Sequence, residues 1–127
     1  MDEEALQALL EQWESVYKKG LLTFWLLLML HERAMYVFEM GQELASFSQG
    51  TVTADEKSLY RALRRFKATG LVDSTWQPSK VGPRRRYYHL TPLGTELLRR
   101  FVQRNVLIYQ NPAVISGLNR LLQNGEG

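Results

Sequence analysis

Apolar residues recur along the chain at helical spacing, and the stretches between them carry turn chemistry. Leu6, Leu9, Leu10, Trp13, Val16 and Tyr17 share one face of a helix predicted over about Glu3 to Lys19. Asp2, Glu3 and Glu4 at its start and Lys18-Lys19 at its end complement the helix dipole, and Gly20 closes it. The run from Leu21 to Leu30 is apolar on nearly every side, which predicts a fully buried helix over about residues 21–31. A third helix, about Met35 to Phe47, aligns Tyr36, Met40, Leu44 and Phe47. Ser48-Gln49-Gly50 reads as a turn, and Thr51-Val52 has the composition of a very short strand. Thr53 with Glu56 three residues on has capping-box spacing. The helix it opens is expected over residues 54–69, with Leu59, Ala62, Leu63 and Phe66 as core stripe and Gly70 as stop.

Two strands follow, Leu71 to Trp76 and Arg84 to Leu90, joined by the hairpin-loop chemistry of Gln77-Pro78-Ser79-Lys80-Val81-Gly82-Pro83. Alternation along the second sends Tyr88 and Leu90 inward and Arg85, Tyr87 and His89 outward. Thr91-Pro92 repeats a helix-start signature, and that helix is expected to reach about Gln110, where Asn111-Pro112 ends or bends it. Val114, Ile115, Leu118, Leu121 and Leu122 mark a last amphipathic stretch. The predicted fold is mainly α with a small β-hairpin wing. Three helices running into a hairpin is the layout of a winged helix-turn-helix, with residues 54–69 as recognition helix. A chain of 127 residues fits a single domain. Within it residues 20–91 form the winged-helix core, and residues 1–19 and 92–127 supply flanking helices.

Composition removes several chemistries. There is no cysteine, which excludes disulfides and thiolate chemistry and suits a cytoplasmic setting. A membrane span needs about 20 apolar residues, roughly twice the Leu21–Leu30 run. A signal peptide is disfavoured because His31-Glu32-Arg33 follows where small residues should stand. A soluble, cytoplasmic protein is therefore expected. His31 and His89 lie in different elements without ligand company, so no metal is expected. Glu39 and Glu43, four apart, have the spacing of paired carboxylates but read as a solvated helix face. With no phosphate loop and no nucleophile elbow, neither an enzyme nor a cofactor is expected.

Charge sharpens the picture. The net charge of +3 conceals a block between Lys57 and His89 with nine basic residues against one acid, net +8. The remainder has seven basic residues against twelve acids, net −5. With Leu59 facing the core, Lys57, Arg61 and Arg64 lie roughly opposite, flanked by Ser58, Tyr60 and Arg65. A solvated helix face alone would explain that pattern. A second cluster, Lys80, Arg84, Arg85 and Arg86, sits in and after the hairpin turn. A helix that enters the major groove and a wing that straddles backbone would use two such clusters together, which points to nucleic-acid binding.

The chain also resembles the PadR-like winged-helix transcriptional regulators. The likeness is carried by Leu26–Leu30, Phe38-Glu39-Met40, the run Ser58–Phe66, Gly70-Leu71-Val72, and Gly82–Thr91 with Gly94. Val37 and Phe38 stand where the family usually has glycine and tyrosine. The resemblance implies a homodimeric repressor of a pseudo-palindromic operator in double-stranded DNA. Arg61 and Arg64 would read bases or adjacent phosphates, Ser58 and Tyr60 would fix the helix, and Arg84 to Arg86 would hold backbone. It also implies dimerisation through the C-terminal helix with help from the N-terminal one. The apolar stripe Phe101, Val102, Val106, Leu107, Ile108 and Tyr109, with Leu6, Leu9 and Trp13, independently supports this. Many relatives respond to a small aromatic effector, and Trp13, Trp25, Phe101 and Tyr109 are candidates to line its site. The rival from another class is a winged-helix module that docks an acidic protein partner.

Overall fold

Helix α1 (Glu3–Lys18) starts on Asp2, whose carboxylate accepts the Ala5 N–H at 2.7 Å, and none of its residues is buried. Its acidic first turn and basic last turn match the sequence expectation. The computed structural model describes residues 2–126, and contacts divide the chain into two units, Met1–Thr95 and Glu96–Gly127.

The core of the first unit is built around α2 (Leu21–Glu32), where Leu26, Leu27, Met29 and Leu30 are buried. Helix α3 (Val37–Phe47) adds Met40 and Leu44, and α4 (Glu56–Ala68) adds Leu59, Ala62, Leu63 and Phe66. The predicted core stripe of α4 is buried in full. Strands β1 (Val72–Gln77) and β2 (Arg85–Leu90) form an antiparallel hairpin in the register Val72 to Leu90, Ser74 to Tyr88 and Trp76 to Arg86. Val72 and Tyr88 from its inner face complete the core.

Three expectations before the wing are corrected. Helix α3 begins at Val37 rather than near Met35, because Met35 pairs with the wing. Its N–H donates to the Tyr88 carbonyl at 3.1 Å, and it accepts from the Tyr88 N–H at 2.8 Å. The chain is extended through Tyr36 and enters the helix with the Glu39 carboxylate accepting the Tyr36 N–H at 3.2 Å. Thr51-Val52 forms no strand. The buried Ser48 hydroxyl lies 2.9 Å from the Val52 carbonyl and accepts the Val52 N–H at 3.1 Å, engaging both groups that a strand would offer. Helix α4 is capped by Asp55 rather than Thr53, with the Asp55 carboxylate accepting the Ser58 N–H at 2.8 Å. Gly70 ends the helix with φ of +79°, a left-handed conformation that glycine adopts without steric cost.

Helix α5 (Pro92–Asn105) opens as expected. Thr91 Oγ1 accepts the Gly94 N–H at 3.1 Å and donates to the Gly70 carbonyl at 2.6 Å, so the cap also fastens the helix start to the α4–β1 turn. In the second unit α5 stops at Asn105, short of Gln110. A 3-10 turn takes Leu107–Gln110, with Tyr109 N–H donating to Val106 O at 3.1 Å. Asn111 then caps α6 (Pro112–Glu126) by accepting the Ala113 N–H at 2.9 Å, so Pro112 opens a helix at the position where proline fits best.

Candidate nucleic-acid interface

Two helices and a hairpin bring part of the basic block together in the first unit. A cleft of about 610 Å3 lies between α4, the start of α3 and the wing. Tyr60, Leu63, Arg64 and Lys67 line it from α4, Tyr36 to Phe38 from α3, and Trp76, Arg84, Arg85, Arg86 and Tyr88 from the hairpin. Glu56 is its one acid. Of the sequence-predicted residues, Tyr60, Arg64 and the three wing arginines therefore meet around one concavity. Lys57, Arg61 and Arg65 are exposed elsewhere on α4, and Lys80 borders a separate shallow hollow with Pro78, Ser79, Val81, Arg85 and Tyr87.

The first turn of α4 is electrostatically set. Hydrogen bonds from the Ser58 N–H and side chain hold the Asp55 carboxyl below its ordinary value, with smaller help from Arg61 and Lys57. Ser58 thus serves the helix cap. The wing arginines are not simply dangling cations. The Arg84 and Arg86 guanidiniums each lie 5.9 Å from the Trp76 ring centroid, and Arg86 also lies 5.2 Å from that of Tyr88. Arg85 sits 4.5 Å over the Tyr36 ring, which is tilted against Tyr87 at 5.4 Å. Burial pushes the Tyr88 hydroxyl above its ordinary value, so this ring is neutral and packs as a core element.

Sequence reasoning missed Lys67, Ser74 and Trp76. Lys67 follows Arg64 by three residues, hence on the same face of α4. Ser74 and Trp76 share the inner face of the hairpin with Tyr88 by strand alternation. Both signals were present in the spacing.

The remaining candidates fall elsewhere. Glu39 and Glu43 both pair with Arg33, at 3.1 and 3.6 Å, which accounts for two carboxylates on one face. Trp25 packs edge-on against Phe24 and Phe47. Leu6, Leu9, Trp13, Phe101, Leu107, Ile108 and Tyr109 are exposed, and Val102 is half-buried. Among the described residues no cluster of three His, Asp or Glu residues could hold a metal ion, and no helix is long and apolar enough to cross a membrane.

A buried three-helix core, a hairpin wing and a cationic exposed face on the last of those helices define a winged-helix DNA-binding domain. Residues 26–100, more than half of the chain, match the model of the transcriptional regulator PadR-like family, and the chain belongs to that family. It is a DNA-binding transcriptional regulator and not an enzyme. A PadR-like transcriptional regulator from Bacillus cereus is 31% identical, with 84% of this chain and 95% of that one covered and a TM-score of 0.63. A PadR family regulator from Eggerthella lenta is 24% identical over 94% of this chain and 96% of its own, with a TM-score of 0.66. The fold is shared too by Bacillus subtilis PadR, whose structure is in complex with operator DNA. There the identity is 15%, the coverage 65% of this chain and 46% of that one, and the TM-score 0.59.

Proposed function

We propose that the chain is a homodimeric repressor that binds a pseudo-palindromic operator through α4 and the wing. Residues 20–91 would form the DNA-binding core, and residues 1–19 and 92–127 the dimerisation helices. The observation that carries this reading is the cleft in which Tyr60 and Arg64 of α4 face Arg84, Arg85 and Arg86 of the wing. Helix α4 would enter the major groove, with Arg61 and Arg64 at base edges or adjacent phosphates, Lys57 and Arg65 on the flanking backbone, and Ser58 and Tyr60 fixing the helix. Lys80, Arg84 and Arg85 would hold phosphates through the wing. The operator-bound Bacillus subtilis PadR, which has the same fold, supports this reading. In a gel shift with a duplex selected from a random-sequence pool, Arg61→Ala and Arg64→Ala should each cost about 1–3 kcal/mol and relax specificity. Arg84→Ala should instead weaken all sequences alike and lower the slope of log K against log salt by about 0.9. Unchanged binding by both α4 variants would overturn the assignment.

The dimer reading rests on apolar surface. Leu6, Leu9 and Trp13 stand exposed on α1, with Trp13 73% accessible, and Phe101, Leu107, Ile108 and Tyr109 are exposed in the second unit beside half-buried Val102. Monomeric soluble proteins seldom leave contiguous apolar surface of this kind open to water. The small aromatic effector belongs to the same reading. Leu10, Trp13, Glu14 and Tyr17 border an apolar hollow of about 250 Å3 on α1, which a second copy would deepen. Quenching of Trp13 fluorescence by candidate aromatic compounds, absent in Trp13→Phe, tests it.

A further inference from the structure

Three consecutive arginines on the wing do not have three equivalent tasks. Arg86 pairs with Trp76 across the hairpin, and two residues along the same face lie Ser74 and the buried Tyr88. Strand alternation therefore sends Arg86 to the inner face, while Arg85 takes the outer one. On that inner face the Arg86 Nε–H donates to Ser74 Oγ at 2.8 Å, and its guanidinium lies within cation–π range of both Trp76 and Tyr88. The same Ser74 oxygen accepts from the Lys67 ammonium of α4 at 3.4 Å. With its Nε–H held by a hydroxyl and its guanidinium near two rings, Arg86 is half-buried, whereas Arg84 and Arg85 are exposed. One neutral oxygen thus receives a cation from the wing and a cation from the recognition helix.

We propose that Arg86 is a positioning residue that, through Ser74 and Lys67, sets the wing against the recognition helix, and that it does not bind phosphate itself. The inference rests on the DNA-binding reading above. It divides the wing cations: Arg84 and Arg85 face the backbone, and Arg86 determines where they stand. Arginine is required here for its geometry. Lysine would retain the charge but has neither the Nε–H donor nor the planar face.

The test compares wild type, Ser74→Ala, Arg86→Lys and the double variant on the selected duplex. Ser74→Ala changes no charge and removes only the shared oxygen. Each single variant should weaken binding about 2- to 10-fold, the range of one net hydrogen bond. The double variant should be no weaker than the worse single one, because both break the same node. In the free protein, amide hydrogen exchange in β1 and β2 should quicken in both variants, while α2 stays protected as in the wild type. Wild-type affinity in Arg86→Lys, multiplying losses in the double variant, or unchanged hairpin exchange would each overturn the proposal. A wild-type protein that binds no duplex would overturn the DNA-binding reading and this inference with it. That result differs from a wild type that binds while the variants behave independently.

Discussion

The Ser48 side chain accepts the Val52 N–H at 3.1 Å and sits 2.9 Å from the Val52 carbonyl, closing the turn between α3 and α4 around a buried hydroxyl. A second approach, 2.7 Å to the Leu44 carbonyl, ties that hydroxyl to the last turn of α3. Replacing it with a methyl group leaves the Val52 N–H buried without its acceptor. Ser48→Ala should lose about 1–3 kcal/mol in chemical unfolding, whereas Ser46→Ala on the exposed side of α3 should change little. Equal stability of the two variants would refute the role of Ser48.

Gly94 and Gly117 make a contrasting pair. A Cβ on Gly94 would stand 2.2 Å from the Leu71 carbonyl oxygen and 2.7 Å from Leu90 Cδ1, so backbone would have to move. Gly94→Ala should destabilise by about 1–3 kcal/mol or more, the scale of overpacking. On Gly117, inside α6, the nearest heavy atom is the flexible end of Arg120 at 3.8 Å. Gly117→Ala should raise thermal stability by about 0.5–1 kcal/mol through helix propensity. Opposite signs in parallel melting curves are the expected outcome.

Acid titration should report the α4 cap. The Asp55 carboxyl titrates below its ordinary value because Ser58 donates to its charged form. A group whose folded pKa is depressed adds stability above its unfolded value, and that stability fades as pH falls through the folded one. Asp55→Asn keeps a capping oxygen without the charge, so it should flatten this part of the acid unfolding curve. Glu96, lowered mainly by hydrogen bonding from Arg100 and then Arg99, acts with the same sign. An acid limb unchanged in Asp55→Asn would refute the cap's contribution.

Sedimentation should read the apolar face of α1. The wild type is expected to run as a dimer, and Leu9→Lys, placed on a helix with no buried residue, to shift it towards monomer. Since the α2 core is built from other residues, the variant's helical circular dichroism should stay close to wild type. A monomeric wild type at micromolar concentration would refute the dimer.

Periodic features were legible in the residues, and features made by long-range contacts were not. The stripe Leu59, Ala62, Leu63 and Phe66 is visible because helix period and burial agree. The cap of α4 was displaced by two residues because Thr53 and Asp55 both satisfy local cap chemistry. The backbone decides between them, because it is the Asp55 carboxylate that meets the Ser58 N–H, at 2.8 Å. Met35 stands between two helices and has a helix-compatible side chain, yet its backbone is claimed by Tyr88, 53 positions away in number and adjacent in space. The inner placement of Arg86 did follow from strand parity, but counting cations as one cluster hid it. At the cleft Arg64 and the wing arginines are legible as cations, while the rings of Trp76 and Tyr36 that hold them become partners only through packing.

The bridge between Met35 and Tyr88 makes the wing a three-membered ribbon whose third member is the doorstep of α3. A two-stranded hairpin alone is marginal in water. Here lifting β2 away must also break the two backbone bonds to Met35, beside the residue whose N–H is held by Glu39 as α3 begins. Opening of the wing is thereby coupled to fraying of α3. The wing and the helix-turn-helix should gain and lose order as one cooperative unit rather than as a rigid body with a loose flap.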